Sequence, residues 1–184
     1  MDIAKPCKEE VEKYLISWTK LEDYVLQEKS LNMLFLDLFP ENKNINEILI
    51  KVSTLKDFYS TRLSKTFTVA KHILELDIDK RLNESDLSLV EDIANVDRRY
   101  YSFATKYCSH HNSDNFPIYD KNVANVLYYF NKQDKFAKFT KTNINKDYFK
   151  FKYVIDEFTD FYNLEEFSRK ELDRYLWQVG REFF

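Results

Sequence analysis

A single glycine, Gly180, serves a chain of 184 residues, against an average usage of about 7%. Tight hairpins draw on glycine for positive φ, so this chain is poorly supplied for a sheet of short strands. Proline, the other breaker, occurs three times, at Pro6, Pro40 and Pro117. The rest is rich in Leu, Lys and Glu, which are strong helix formers. The expected fold is all-α: a single globular helical domain over residues 1–184, with two helical lobes and a cleft between them as one form of it. A domain of this length buries roughly 70% of the surface its unfolded chain exposes, so it needs no disulfide or metal to hold it.

The apolar pattern places the helices. Val11, Tyr14, Leu15, Trp18, Leu21 and Val25 recur at spacings of three and four, which predicts a helix over 9–27 with one core face. A short apolar run, 31–38, ends at Phe39-Pro40, because a residue before proline is pushed out of the helical region. After a polar loop at 41–44, helices are expected over 45–63 and 67–76. Ser85 and Asp97 are placed to cap helices running to Ala94 and His110, and Asp120 to cap one through Phe130. Residues 112–117 form the clearest loop. A further helix is expected over 146–162. Ser168 with Glu171 three positions on makes a capping box for the last, which ends with Gly180 and two phenylalanines. Tyr14, Trp18 and Leu21 read as core, and Tyr175, Trp177, Phe183 and Phe184 as an ordered tail or a dimer contact.

Net charge is −3, so the distribution of charge says more than its sum. Residues 131–152 hold seven lysines (Lys132, Lys135, Lys138, Lys141, Lys146, Lys150, Lys152) against Asp134 and Asp147, a local balance of 7 − 2 = +5. Phe136, Phe139, Tyr148, Phe149 and Phe151 are interleaved. Lysines with aromatics track phosphates and stack bases; the same pattern also describes a solvated helix face over a phenylalanine core. Cys7 and Cys108 are far apart and make no disulfide framework. Met1 leads into a polar segment, and no apolar run is long enough to span a bilayer. The expectation is a cytoplasmic protein with no membrane partner. Phosphate-cradling glycine loops are excluded outright.

Two of the three histidines, one cysteine and one proline fall between Asn95 and Phe130. The run Phe116-Pro117-Ile118-Tyr119-Asp120, followed by Val123 and Val126, resembles the region around the catalytic aspartate in the helix-hairpin-helix DNA glycosylase superfamily. The stretch also resembles uncharacterised bacterial helical proteins with similar Ser-Phe-Ala-Thr-Lys-Tyr and Phe-Pro-Ile-Tyr-Asp runs. The resemblance covers about a fifth of the chain. It implies DNA as the partner and Asp120 as the catalytic carboxylate, set to stabilise positive charge on the sugar or to activate a water as the N-glycosidic bond breaks. It also implies a pocket for a flipped base, with Tyr101, His110 and Tyr119 as lining. Arg98, Arg99, Lys106, Lys132, Lys135 and Lys138 are the residues assigned to the nucleic acid.

The chain departs from that pattern in two places. Ala94-Asn95-Val96-Asp97 lacks the hairpin glycines that let backbone amides approach a phosphate, and Asp97 brings a negative charge there. Family members with a lysine nucleophile carry it about five helical turns before the aspartate; here that stretch is Tyr100, Tyr101 and Ser102, so a water-mediated, lysine-independent mechanism is expected. Plainer roles stand beside these. Asp120 suffices as an N-cap, Lys106 as a surface lysine, and Arg98 and Arg99 as a solvated first turn. Cys108-Ser109-His110-His111 is a poor metal site, since adjacent histidines on a helix diverge and no CxxC or HxxxH partner is present. No cofactor is expected. The alternative function is a helical interaction module that keeps the fold without catalysis.

Overall fold

The structure is a computed structural model that describes residues 3–184. Met1 and Asp2, which begin the polar N-terminal segment, lie outside the described residues. Every regular element among the described residues is helical, and the only extended pairing is an isolated bridge between Asn95 and Arg99. The chain divides into two compact helical units: a middle unit, Asp23–Ile118, and a terminal unit formed by Met1–Glu22 with Tyr119–Phe184. No helix among the described residues is long and apolar enough to cross a membrane.

The middle unit opens with α2 (Glu22–Asn32), which runs into a π-helical stretch, Met33–Leu38, closed at Phe39-Pro40 as predicted. It continues with α3 (Ile45–Phe58), α4 (Thr66–Glu75), α5 (Asp79–Asn83), α6 (Ser88–Ala94) and α7 (Tyr101–His111). α7 packs against α3, α6 and the π-helical stretch. Those elements carry Phe35, Ile48, Val52, Leu55, Val90 and Ile93, all fully buried.

The terminal unit holds α1 (Lys8–Trp18), α8 (Lys121–Asp134), α9 (Lys141–Lys146), α10 (Tyr148–Phe161) and α11 (Arg169–Phe183). α11 is its hub, packed on both α8 and α1. Tyr14 meets Tyr175 and Trp18 meets Trp177 edge to face, with ring centres 5.5 and 5.9 Å apart. Gly180 does not end α11, which continues to Phe183. It sits where α11 crosses α8: a Cβ there would lie 2.6 Å from Asn122 Cβ and 2.7 Å from the Asn122 backbone. The one glycine is a close approach between helices.

The helix boundaries show where local signals were overruled. The helix expected over 9–27 is two helices. Thr19 donates its hydroxyl to the Ile16 carbonyl at 2.8 Å, and the Lys20 and Leu21 amides turn back to Ser17 and Trp18, which ends α1. Ser85 is not a cap: it stands at φ 56°, and the carboxylate of Asp86 accepts from the Ser88 amide to open α6. Asp97 is not a cap either, for α7 starts only at Tyr101. Ser60, at φ 47°, ends the helix that had been expected to reach Leu63. Asp120 and the Ser168–Glu171 box cap as expected. The glycine shortage also leaves a mark: Ser60, Asp77, Ser85, Lys135 and Asn163 occupy left-handed positions that glycine would fill without a Cβ penalty.

Candidate functional site

α6 and α7 are packed and joined by a tight hairpin in which the Ala94 carbonyl accepts from the amides of Val96 (3.2 Å) and Tyr100 (2.9 Å). The hairpin charges are engaged within the unit. Lys65 pairs with Asp97 at 2.8 Å and holds its carboxyl below the usual carboxylate range. Arg99 grips both carboxylate oxygens of Glu91, at 3.0 and 2.6 Å, while its guanidinium lies 4.0 Å from the centre of the buried Tyr101 ring. Arg98 donates to the Arg62 carbonyl and lies 4.9 Å from the Tyr100 ring. Both arginines remain solvent-exposed.

α7 is buried at nine of its eleven positions, polar residues included. Ser102, Lys106 and His110 stand four apart and so share one stripe of the helix. Lys106 is not the surface lysine expected: it is 3% exposed, donates to Ser102 Oγ at 2.6 Å, and lies 5.0 Å from the Tyr59 ring. Tyr59 hydroxyl meets His110 Nε2 at 3.1 Å, and Phe35 packs on the His110 ring. The structure thus brings Lys106 and His110 together through Tyr59, at the end of α3. Cys108 is fully buried, and burial pushes its thiol far up, which leaves it inert.

A second polar cluster in the same unit was not legible in sequence. Lys51 on α3 is fully buried. Its ammonium reaches the carbonyls of Phe39 (3.1 Å) and Glu41 (3.0 Å), Asn42 Oδ1 (2.6 Å) and His111 Nε2 (3.3 Å). Burial lowers its pKa to about 8, against the opposing pull of Asp79 and Glu47. Tyr107 donates to the same Asn42 oxygen at 2.6 Å, and the Asn42 amides donate to Asp79. Both neighbours of His111 Nε2 are donors, so that nitrogen accepts and the ring proton sits on Nδ1. Burial, reinforced by Lys51, lowers the His111 pKa to about 3. A cavity of about 730 Å³ borders this cluster, lined by Phe35, Pro40, Asp79, Leu82, His111 and Asn112 among others. The only sequence signal was the polar break 41–44 after Pro40, which reads as a loop and not as a cradle for a cation.

In the terminal unit, Asp120 opens α8, with Oδ1 accepting from the Asn122 amide at 2.8 Å in an extended N-cap conformation, and it is half-buried. Tyr119 meets Phe151 edge to face at 5.3 Å. The far end of α8 carries Lys132, then Lys135 and Lys138 in the segment that follows, all exposed. Lys132 and Lys141 each place their ammonium 4.8 Å from the centre of the Tyr128 ring. Of the residues singled out in sequence, Arg98, Arg99, Tyr101, Lys106 and His110 therefore belong to the middle unit, and Tyr119, Asp120, Lys132, Lys135 and Lys138 to the terminal unit.

The family model HI_0787_N, described as an N-terminal domain, matches residues 10–115 of the chain. An uncharacterized protein of Haemophilus influenzae is 45% identical over 146 residues, covering 76% of this chain and 69% of the relative. No solved structure matches. The chain belongs to the HI_0787_N family. The matched span ends within the loop before Pro117, so Asp120 and α8 to α11 follow it.

Proposed function

We propose that this member of the HI_0787_N family is a DNA-binding helical protein that acts as base-excision glycosylases do, with Asp120 as the carboxylate beside the reacting sugar. The observation that carries the reading is the placement of Asp120. It follows the Phe-Pro-Ile-Tyr run at the first turn of α8, in the same unit as the exposed lysines Lys132, Lys135 and Lys138. A carboxylate there activates a water for attack on the anomeric carbon, and the base leaves with the electrons of the C–N bond. The exposed lysines, with the exposed hairpin arginines Arg98 and Arg99, are assigned to phosphates. Lys106, buried against Ser102 and Tyr59, is left out of the phosphate contacts.

A second reading, a non-catalytic interaction module, is favoured by the hairpin. Asp97 is tied to Lys65 and Arg99 to Glu91, so these charges are matched within the fold. Release of damaged bases from duplex DNA, compared between wild type and Asp120→Asn, decides between the two. Asparagine caps as well as aspartate, so the variant keeps α8 and loses only the carboxylate. Loss of base release is the expected result. Retained release removes Asp120 from the mechanism, and DNA binding that is absent or insensitive to salt removes the electrostatic case.

A further inference from the structure

The cavity beside the Lys51 cluster lies wholly within the middle unit, and neither Asp120 nor the exposed lysines Lys132, Lys135 and Lys138 line it. Its volume of about 730 Å³ falls in the range of small-molecule sites, roughly 300–1,000 Å³. One wall comes from Phe35 and Leu36 of the π-helical stretch, a rare backbone form that is frequent at functional sites. Pro40 and Leu82 add apolar surface.

Two polar groups of the lining have bonding capacity left over. His111 is tied to Lys51 and Asn42 through Nε2, and its Nδ1–H meets no acceptor among the described residues. Asp79 is bound by Asn42 alone among the described residues. The Asn42 backbone amide is shared between the two carboxylate oxygens, at 3.1 and 3.0 Å, and the side-chain amide donates to Oδ1 at 2.7 Å. Oδ2 thus accepts only a shared N–H, whereas a carboxylate offers about four lone-pair sites. Asn42 Nδ2 touches both Asp79 Oδ1 and His111 Nε2, so this acceptor and this donor stand side by side. Asn42 is itself held by the buried Lys51.

The charge left unmatched in the lining is negative. Lys43 pairs with Glu41 at 3.4 Å and Lys80 with Glu84 at 3.7 Å. Asp77 and Asp79 remain, and no cation pairs with either among the described residues. Lys51 adds one positive charge nearby, but its ammonium is enclosed by four acceptors and is closed to a ligand. Two carboxylates against one enclosed cation favour a cationic ligand and disfavour an anion. A bare ion would leave His111 Nδ1–H and the apolar wall unused. An organic cation with an oxygen acceptor uses all of them.

We infer that this cavity binds a small organic amine that also carries a hydroxyl or carbonyl oxygen. The ammonium donates to Asp79 within the field of Asp77. The oxygen accepts from His111 Nδ1–H, and the apolar part lies on Leu36, Pro40 and Leu82. This site does not depend on the nucleic-acid reading, and either can fail alone.

The test is an NMR titration of the full, nitrogen-labelled chain with phenylethanolamine, read at the His111 ring and at the amides that line the cavity. Phenylethanediol and mandelate keep the ring and hydroxyl and replace the ammonium with a neutral and an anionic group. Phenylethanolamine is expected to bind with a Kd of about 1 mM or below, the diol about tenfold more weakly, and mandelate not at all. Phenethylamine, which lacks the hydroxyl, is expected to bind about fivefold more weakly. Asp79→Asn, which keeps an acceptor for Asn42, is expected to weaken amine binding about tenfold. Leu36→Trp, at an exposed position, narrows the cavity without touching the polar cluster and is expected to do the same. Asp77→Lys, also exposed, is expected to weaken it about threefold and serves if Asp79→Asn disturbs the fold. Equal binding of the diol or of mandelate overturns the amine. Binding that survives Leu36→Trp and either aspartate variant overturns the cavity as its place. No shift with phenylethanolamine at about 10 mM overturns the site.

Discussion

α7 and α10 are both rich in aromatic and ionisable residues, yet the two helices use them in opposite ways. α7 is buried almost all round, and its lysine, its histidines and Tyr107 meet partners: Lys106 meets Ser102, His110 meets Tyr59, Tyr107 meets Asn42, and His111 meets Lys51. α10 buries only its apolar stripe and leaves Phe149, Lys150 and Tyr153 at the surface. Desolvation explains the contrast. A cation inside a protein is tolerated only when several acceptors replace its water, so α7's ionisable groups are committed to the fold. On α10 water does that work, and the side chains stay at the surface. Abundant lysine and tyrosine are therefore committed to the fold on α7 and left facing water on α10.

The contrast can be broken most severely at Lys51, the cation facing α7. Lys51→Ala strands the Phe39 and Glu41 carbonyls and leaves Asn42 Oδ1 with Tyr107 alone, and is expected to cost about 3–5 kcal/mol in denaturant unfolding. Lys51→Met removes the charge together with its donors and fills the space, so it is expected to cost less. Equal costs would mean that the lost donors, not packing, set the penalty at this cluster.

Acid sharpens the same point. His111 is held neutral, with its folded pKa lowered to about 3 from 6.5. Between those values the unfolded chain binds a proton that the folded chain does not. The stability His111 contributes above pH 6.5 is therefore lost as pH falls toward 3, by up to about 1.4 kcal/mol per pH unit. His111→Gln is expected to flatten the wild-type stability profile across that window, and parallel profiles would contradict the assignment.

Gly180→Ala tests the helix crossing that sets the first turn of α8. Its Cβ would meet Asn122 at 2.6 Å, and a cost of about 1–3 kcal/mol is expected from overpacking despite alanine's better helix propensity. A neutral or stabilising result would show that the two helices separate freely. Lys135→Gly should act in the other direction. It relieves the left-handed C-cap of α8, where Lys135 has φ 53°, and is expected to raise stability by about 0.5–1 kcal/mol. The smallest stability effect belongs to Phe149→Ala and Tyr153→Ala, expected within about 0.5 kcal/mol in thermal melts. A large loss there would place α10's outer face in the fold and end the contrast with α7.

Local signals in the sequence were reliable where their partners are also local. Asp120 caps α8 through an amide two residues away, and Ser168 and Glu171 cap each other across three. Ser85 and Asp97 carried the same signal and failed, because the start of α6 and α7 is set by Asp86 and by the hairpin folded back on Ala94. Lys106 was assigned to nucleic acid, with a surface lysine as its plainer role, and nothing in the sequence singled out Lys51, since lysine seldom lies inside a protein. Their burial depends on residues such as Tyr59, Asn42 and His111, brought close only by folding. The rings and lysines of the 131–152 segment were visible as a composition shift. Which of them face water, and that Lys152 is spent on Asp156, was not.

The sequence by itself determined an all-helical chain, because one glycine and three prolines leave few places for a helix to break and helix propensity acts through each residue's own backbone. It also determined the caps whose donors lie within one turn. Tertiary structure alone decided the place of that single glycine. It serves a crossing of α11 with α8, a requirement set by two helices far apart in the chain approaching more closely than a Cβ allows. The same distinction holds for the ionisable residues: charge is written in the sequence, while its separation from water, and therefore its role, depends on which distant groups the fold brings to it.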